Sequence, residues 1–133
     1  MMLAMLLLGI ITAASAPLLG AWRDRSIVAA AASEIAGAHQ RARIHAILVS
    51  RVAELDVRAD SLVIRTPSTG TSAVWSIPGP LAAGVTLSSP ARTLQFAPTG
   101  VTIGFANATF VLSKGSARRQ VVVSRLGRVR ILP

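Results

Sequence analysis

The stretch MMLAMLLLGIITAASAPLLGAW occupies residues 1–22 and contains no charged side chain. Arg23, Asp24 and Arg25 follow it directly. A helix rises about 1.5 Å per residue, so about twenty apolar residues cover a hydrocarbon core of roughly 30 Å. A helix also satisfies its own backbone hydrogen bonds in lipid. The stretch therefore predicts a helix that is compatible with a membrane.

Three interpretations of residues 1–22 compete. Ala14-Ser15-Ala16 imitates the cleavage pattern of a secretory signal peptide, but no basic residue precedes the apolar run and Pro17 would follow the cut. A buried core helix is another alternative, although the run is long for a chain of 133 residues. We favour a retained membrane anchor that continues into a helix packed on a small domain.

Residues 23–50 predict the amphipathic continuation of this helix. Small and apolar residues recur there at steps of three and four positions, which places them on one face. No proline interrupts residues 18–50. The apolar stripe consists of Ile27, Ala31, Ile35, Ala38, Ala42, Ala46 and Val49. We expect this stripe to pack on the protein's own β-rich domain.

Residues 51–133 predict a β-rich globular head. Short β-prone runs alternate with turn residues, a pattern typical of antiparallel sheets. Two hairpins are expected, one from runs 52–57 and 62–66, the other from runs 101–105 and 108–112 around Ala106-Asn107. Further strands are expected at 74–77, 84–87, 93–96, 120–124 and 128–132. The predicted fold class is α+β, with a long N-terminal helix packed on a small antiparallel β-sheet domain.

The charge of the chain is strongly uneven. The formal net charge is +9, all five acidic residues lie at or before residue 60, and eight of the fourteen basic residues follow it. Such an excess of positive charge attracts anions, so nucleic acid, anionic lipid and an acidic protein face are candidate partners. A basic surface without a specific partner is the alternative.

The sequence contains no catalytic or metal-binding pattern. Cysteine is absent, which excludes disulfides and thiolate chemistry. His39 and His45 are six positions apart, a spacing that does not place them on one helical face as metal ligands. We interpret both as surface histidines. No G-x-S-x-G nucleophile elbow occurs, and we predict no enzyme, no cofactor, no metal and no small-molecule substrate.

Several phrases of the chain match a known pattern in order and spacing. The apolar start with Pro17 resembles a pilin N-terminus, and Ala42-Arg43 with Ala46-Ile47 is similar to an A-R-x-x-A-I phrase at a helix end. Residues 94–100, LQFAPTG, resemble an L-x-F-x-P-x-G segment. Residues 121–131, VVVSRLGRVRI, are similar to a closing strand, turn and G-R-x-R phrase. Together these phrases resemble the GspH/FimT family of minor pseudopilins, which are type IV pilin-like proteins.

The N-terminus departs from that family. The leader, the peptidase site after a glycine and the glutamate that follows it do not precede Met1. With Pro17 in the family's register, about five mature residues are unaccounted for, and we expect an N-terminal truncation. By the positive-inside rule, Arg23 and Arg25 would place the head in the cytoplasm. The resemblance implies instead a single-pass protein of the bacterial inner membrane with its head in the periplasm, and we follow the resemblance.

The resemblance implies a structural subunit of a type II secretion-type pseudopilus that takes part in protein secretion. Other pilins and pseudopilins are then partners through the N-terminal helix, and the inner membrane holds the subunit before assembly. Small residues let helices approach closely. The expected anchor and assembly residues are Gly9, Ala13, Ala14, Ala16 and Pro17.

The alternative function is a DNA-binding minor pilin of a type IV pilus or competence system, active in DNA uptake. Some members of the resembled family bind DNA through the G-R-x-R end. In an extended strand Arg128 and Arg130 lie on the same side, because side chains alternate. The candidate DNA- or anion-binding residues are Arg118, Arg119, Arg125, Gly127, Arg128 and Arg130.

Overall fold

One long helix and two antiparallel sheets make up the chain. The computed structural model describes residues 2–70, 72–104 and 107–133, and the side chains from Leu18 onward other than that of Thr69. The helix, α1, spans Met2–Val49 without interruption. The expected helix is therefore continuous from the apolar stretch into the amphipathic one.

Two backbone hydrogen bonds close the C-terminus of α1. The Arg51 N–H donates to the carbonyl of Ala46, and the Ser50 N–H donates to the carbonyl of Ile47, each over 3.2 Å. These are the two bonds of a Schellman motif, which satisfies carbonyls that the end of a helix leaves free. Ser50 adopts φ +51°, a left-handed conformation in which glycine is usually found. The chain then turns back toward the helix as its first strand.

The first sheet has five strands: β1 Ala53–Val57, β2 Ser61–Arg65, β3 Ala73–Pro78, β5 Arg92–Phe96 and β6 Thr102–Ile103. Their order in the sheet is β3-β2-β1-β5-β6. Its central strands β1 and β2 pair antiparallel, with Leu55 opposite Ile64. The hairpin expected from runs 52–57 and 62–66 is thus confirmed. Two short 3-10 helices, Pro67–Thr69 and Pro80–Ala83, flank the third strand.

The second sheet has four strands: β4 Thr86–Leu87, β7 Ala108–Lys114, β8 Ala117–Val123 and β9 Val129–Leu132. Their order in the sheet is β4-β7-β8-β9. A tight turn at Gly115-Ser116 joins β7 to β8, with Lys114 opposite Ala117 and Gly115 at φ +56°. A two-residue hairpin loop favours residues that tolerate positive φ, which glycine does.

The second predicted hairpin is wrong. Thr102–Ile103 pairs with β5 in the first sheet, whereas Ala108–Lys114 pairs with β4 and β8 in the second. Alternating apolar residues specify a strand but not its partner. The expected turn at Ala106-Asn107 includes Ala106, which lies outside the described residues.

The core lies between α1 and strands of both sheets, above all β8, β1 and β7. Ala31, Ile35, Ala38, Ala42 and Ala46 of the predicted stripe are each at most 3% exposed. The other two members, Ile27 and Val49, remain partly exposed. Alanine side chains keep the helix face thin, so the strands approach α1 closely. Phe96 and Phe110 are the largest fully buried side chains opposite it.

The α+β fold class is confirmed by this arrangement. The division of the chain into residues 1–22, 23–50 and 51–133 stays a prediction, because α1 continues through the first boundary.

Candidate functional site

A tight turn between β8 and β9 carries the G-R-x-R phrase. Gly127 adopts φ +74° there and donates from its N–H to the Ser124 carbonyl over 2.9 Å. The Ser124 N–H donates to the Arg128 carbonyl over 2.8 Å, and the Arg128 N–H donates to the Ser124 hydroxyl over 3.2 Å. The glycine is needed because other residues adopt this positive φ at a cost. These bonds fix the position of the Arg128 backbone directly before β9.

The turn is also tied to neighbouring parts of the head. The Thr102 hydroxyl donates to the Arg125 carbonyl over 2.6 Å, and the Arg125 N–H donates to Asn107 Oδ1 over 3.0 Å. Thr102 belongs to β6, so the first bond links the two sheets at this end of the molecule, while the second holds the turn to the residue that precedes β7. The exposed Arg125 side chain therefore extends from an anchored backbone.

Beside this turn lies a groove of about 660 Å³, which we term the turn groove. Arg128 and Arg130 line it together, as the alternation of side chains predicts. Arg43 of α1 lines the groove as well. This residue was not among the site residues predicted from the sequence. The full lining is Arg43, Val122, Ser124, Leu126, Gly127, Arg128 and Arg130.

The turn groove is strongly positive. No acidic side chain is among its described lining residues. Both ion pairs within the described part of the chain use Asp56, which pairs with Arg58 over 3.9 Å and with Arg65. The guanidinium groups of the turn groove are therefore available to an external anion, which they would bind through charge-assisted hydrogen bonds.

Arg118 and Arg119 lie in a different place from Arg128 and Arg130. They lie near the start of β8, whereas Arg130 pairs with Val122. Val122 follows Arg118 by four residues, which is about 13 Å along a strand. With Arg25 they line a separate cleft of about 300 Å³, which we term the exit cleft because α1 leaves the head there. The candidate arginines thus form two groups.

His39 is a core residue, which corrects its interpretation as a surface histidine. Its side chain is fully buried and meets the Phe96 ring edge to face, with 4.9 Å between the ring centroids. Neither ring nitrogen has a hydrogen-bond partner. Burial, and then the positive charge of Arg43, lower the pKa of His39 from 6.5 to about 4. His39 follows Ile35 by four positions and precedes Ala42 by three. This spacing places it on the apolar stripe and is the sequence signal that could have indicated its burial.

His45 has a different setting from His39. It is half-buried, and its Nε2 atom lies 3.0 Å from the Thr66 hydroxyl. Within the described residues, no group of three or more histidine and acidic side chains is arranged to hold a metal ion.

The expected anchor and assembly residues, Gly9, Ala13, Ala14, Ala16 and Pro17, lie in α1 but outside the residues whose side chains are described. From Leu18 onward, where the side chains are described, no helical stretch is both long and apolar enough to cross a membrane.

A long N-terminal helix packed on antiparallel sheets defines a pilin-like fold, and solved structures share it. The chain is similar to the type IV minor pilin FimU of Pseudomonas aeruginosa strain PAO1 in two crystal forms. In one form the TM-score is 0.69 at 22% sequence identity, over 84% of this chain and 92% of FimU. In the other form the TM-score is 0.61 at 20% sequence identity, over 78% of this chain and 91% of the FimU chain.

The sequence profile of the family described as type II transport protein GspH matches residues 31–127. That match spans most of the chain, so the chain belongs to the GspH family. No curated protein matches it significantly. The family consists of structural subunits of pili or pseudopili and is not known as an enzyme family. The chain is therefore a subunit of the minor pilin or pseudopilin class.

Proposed function

We propose that the chain is a minor pseudopilin, a structural subunit of a type II secretion-type pseudopilus that takes part in protein secretion. One observation carries this proposal: α1 leaves the head with uncovered apolar side chains. Leu18, Leu19 and Trp22 are 73%, 67% and 70% exposed. Apolar side chains that project from a helix in this way become covered by lipid or by other helices.

Before assembly, residues 1–22 anchor the subunit in the bacterial inner membrane by a single pass, with the head in the periplasm. In the filament, the helices of neighbouring pilin-like subunits replace the lipid. Gly9, Ala13, Ala14 and Ala16 let those helices approach closely. Pro17 lacks a backbone donor and favours a bend in the helix.

Protein export by the host bacterium tests this proposal. Deletion of the gene should leave secreted proteins in the periplasm, and the wild-type gene should restore export. Leu19→Asp should fail to restore it, because a carboxylate at a covered apolar position costs about 2 kcal/mol or more. Gln40→Asp, on the exposed face of the same helix, is the matched control and should restore export. Normal export in the deletion strain would contradict the proposal.

The turn groove favours a second candidate function, a DNA-binding minor pilin of a type IV pilus or competence system. Arg43, Arg128 and Arg130 line one groove without a described acidic neighbour. Guanidinium groups this close together suit successive phosphates of a nucleic-acid backbone, which they contact without reading sequence. Arg125 extends the positive surface beside the turn.

The salt dependence of DNA binding tests this second candidate. The full-length chain in nanodiscs of neutral lipid would be titrated with labelled duplex DNA. Three phosphate contacts predict a slope of about −2.7 for log affinity against log salt concentration, and one contact predicts about −0.9. The Arg128→Ala, Arg130→Ala variant should therefore have the shallow slope, while Arg118→Ala, Arg119→Ala should keep the steep one. Equal affinity of the wild type and the first variant would refute the candidate.

A further inference from the structure

The exit cleft lies at the opposite end of the head from the turn groove. Arg25 and Val28 of α1 line it together with Ala117, Arg118 and Arg119 of β8. Arg25 precedes Arg43 by eighteen residues, which places the two about 27 Å apart along the helix axis. The exit cleft therefore faces the side from which the apolar stretch of α1 emerges.

Packing of the β7–β8 turn against the helix positions the arginines of β8. A Cβ atom on Gly115 would lie 2.8 Å from Asp24 Oδ2, so the turn lies directly against the helix at that point. Ala117 is 7% exposed and Val28 is fully buried. The small Ala117 side chain lets β8 begin close to α1, and this brings Arg118 and Arg119 to the level of Arg25.

Positive charge dominates this end of the head. Arg23, Arg25 and Arg118 are exposed and Arg119 is half-buried, while Asp24 is the acidic residue among them. Neither of the ion pairs in the described part of the chain involves any of these groups. Four arginines and one aspartate give this end of the head a surplus of positive charge, which attracts an anion.

The position of the cleft relative to Trp22 selects the anion. Trp22 is 70% exposed and ends the apolar stretch, and tryptophan is enriched where membrane meets water. Arg25 follows three residues later, about 4.5 Å further along the axis. The headgroup layer on each side of a bilayer is about 5–7 Å deep. Arg25 and the β8 arginines beside it therefore lie at the depth of lipid phosphates.

We propose that the exit cleft binds the phosphate headgroup of an anionic phospholipid in the leaflet next to the head. The inference rests on the proposed function, because it requires residues 1–22 to lie in the membrane. A bound headgroup holds the waiting subunit upright against the bilayer through Arg25, Arg118 and Arg119. Entry into a filament then requires the release of this lipid, which couples assembly to the anionic lipid content of the membrane.

Lipid titration of the full-length chain in neutral detergent tests the inference. The probes are fluorescent phosphatidylglycerol and phosphatidylcholine, and the measured quantity is the dissociation constant of each. An arginine near an anionic surface contributes about fivefold in affinity, so Arg118→Ala, Arg119→Ala should weaken phosphatidylglycerol binding about 30-fold. Arg128→Ala, Arg130→Ala removes the same charge at the other end of the head and should leave that binding unchanged.

Arg25→Gln gives an independent test, since it changes the exposed helix side of the cleft without altering β8. It should weaken phosphatidylglycerol binding about fivefold and leave phosphatidylcholine binding unchanged. Equal losses in the two double variants would show a response to net charge alone and would overturn the inference. If Arg118→Ala, Arg119→Ala weakens the binding of duplex DNA but not of phosphatidylglycerol, the cleft is a nucleic-acid contact. That result would also overturn the inference.

Flotation with pure phosphatidylcholine vesicles separates the inference from the proposed function. The wild type and all three variants should float, because the apolar helix needs no anionic lipid. If the wild type floats but binds phosphatidylglycerol no more tightly than phosphatidylcholine in detergent, the lipid site is overturned and the anchor is left intact. Failure of the wild type to float would overturn both.

Discussion

Acidification should destabilise the head through His39. The ring is fully buried against Phe96, and its two nitrogens have no hydrogen-bond partner that could stabilise an added proton. Burial, and then the charge of Arg43, lower its pKa to about 4 in the folded chain, against 6.5 when it is exposed. The unfolded chain therefore binds more protons than the folded chain between these two pH values. Stability should fall as the pH falls through this window and should level off below it.

The size of this effect follows from the pKa difference of about 2.5, which corresponds to about 3 kcal/mol of unfolding free energy. Most of it, about 2.5 kcal/mol, should already be lost between about pH 7.5 and about pH 4.5. Urea unfolding of the full-length chain in neutral detergent measures the difference at these two values. In a Trp22→Phe background, Trp75 alone reports the unfolding of the head.

Two variants make the test specific to His39. His39→Leu keeps an apolar side chain of similar size in the core, and it should remove most of the pH dependence. His45→Gln retains a hydrogen-bonding group beside the Thr66 hydroxyl and should keep the dependence of the wild type. If His39→Leu and the wild type lose the same stability on acidification, His39 is not the source of the pH dependence.

Three further substitutions test the packing of the head, each by thermal or urea unfolding. Gly79→Ala should cost about 2 kcal/mol, because the added Cβ would lie 2.5 Å from the Ala59 carbonyl oxygen, and an unchanged midpoint would contradict this. Ser50→Gly should stabilise the chain by about 0.5–1 kcal/mol, since glycine adopts φ +51° without strain, and a lower stability would speak against it. Asp56→Ala should cost about 2 kcal/mol, because Asp56 is only 8% exposed and accepts a hydrogen bond from the Thr93 hydroxyl besides pairing with Arg65; a cost below about 0.5 kcal/mol would argue against this role.

The helix and its buried face were predictable from the sequence, because they depend on local periodicity. Ala31, Ile35, Ala38, Ala42 and Ala46 recur at helical spacing, and all are buried in the fold. His39 was misassigned for a physical reason: a polar residue was expected to seek water, whereas its neutral ring fills a space beside Phe96. Its position on the stripe, and not its residue type, determined its burial.

Strand pairing and the shape of the candidate site depend on contacts between distant residues. The run 101–105 was expected to pair with run 108–112, but Thr102–Ile103 completes the first sheet and Ala108–Lys114 enters the second. Arg43 lines the turn groove although it precedes Arg128 by 85 residues in sequence. Arg118 and Arg119 are close to Arg128 in sequence, yet the length of β8 separates them in space. Residue spacing along the chain contains none of this information.

Photo-crosslinking from position 19 of the full-length chain tests whether the apolar helix mediates assembly into the filament. A benzophenone amino acid would replace Leu19, which is 67% exposed, in cells that assemble the filament. Assembly through the helix predicts adducts with other subunits that carry an apolar N-terminal helix, identified by mass spectrometry. The same amino acid in place of Gln40, on the exposed head face of α1, should give none of these adducts. Adducts from position 40 without any from position 19 would contradict assembly through the helix.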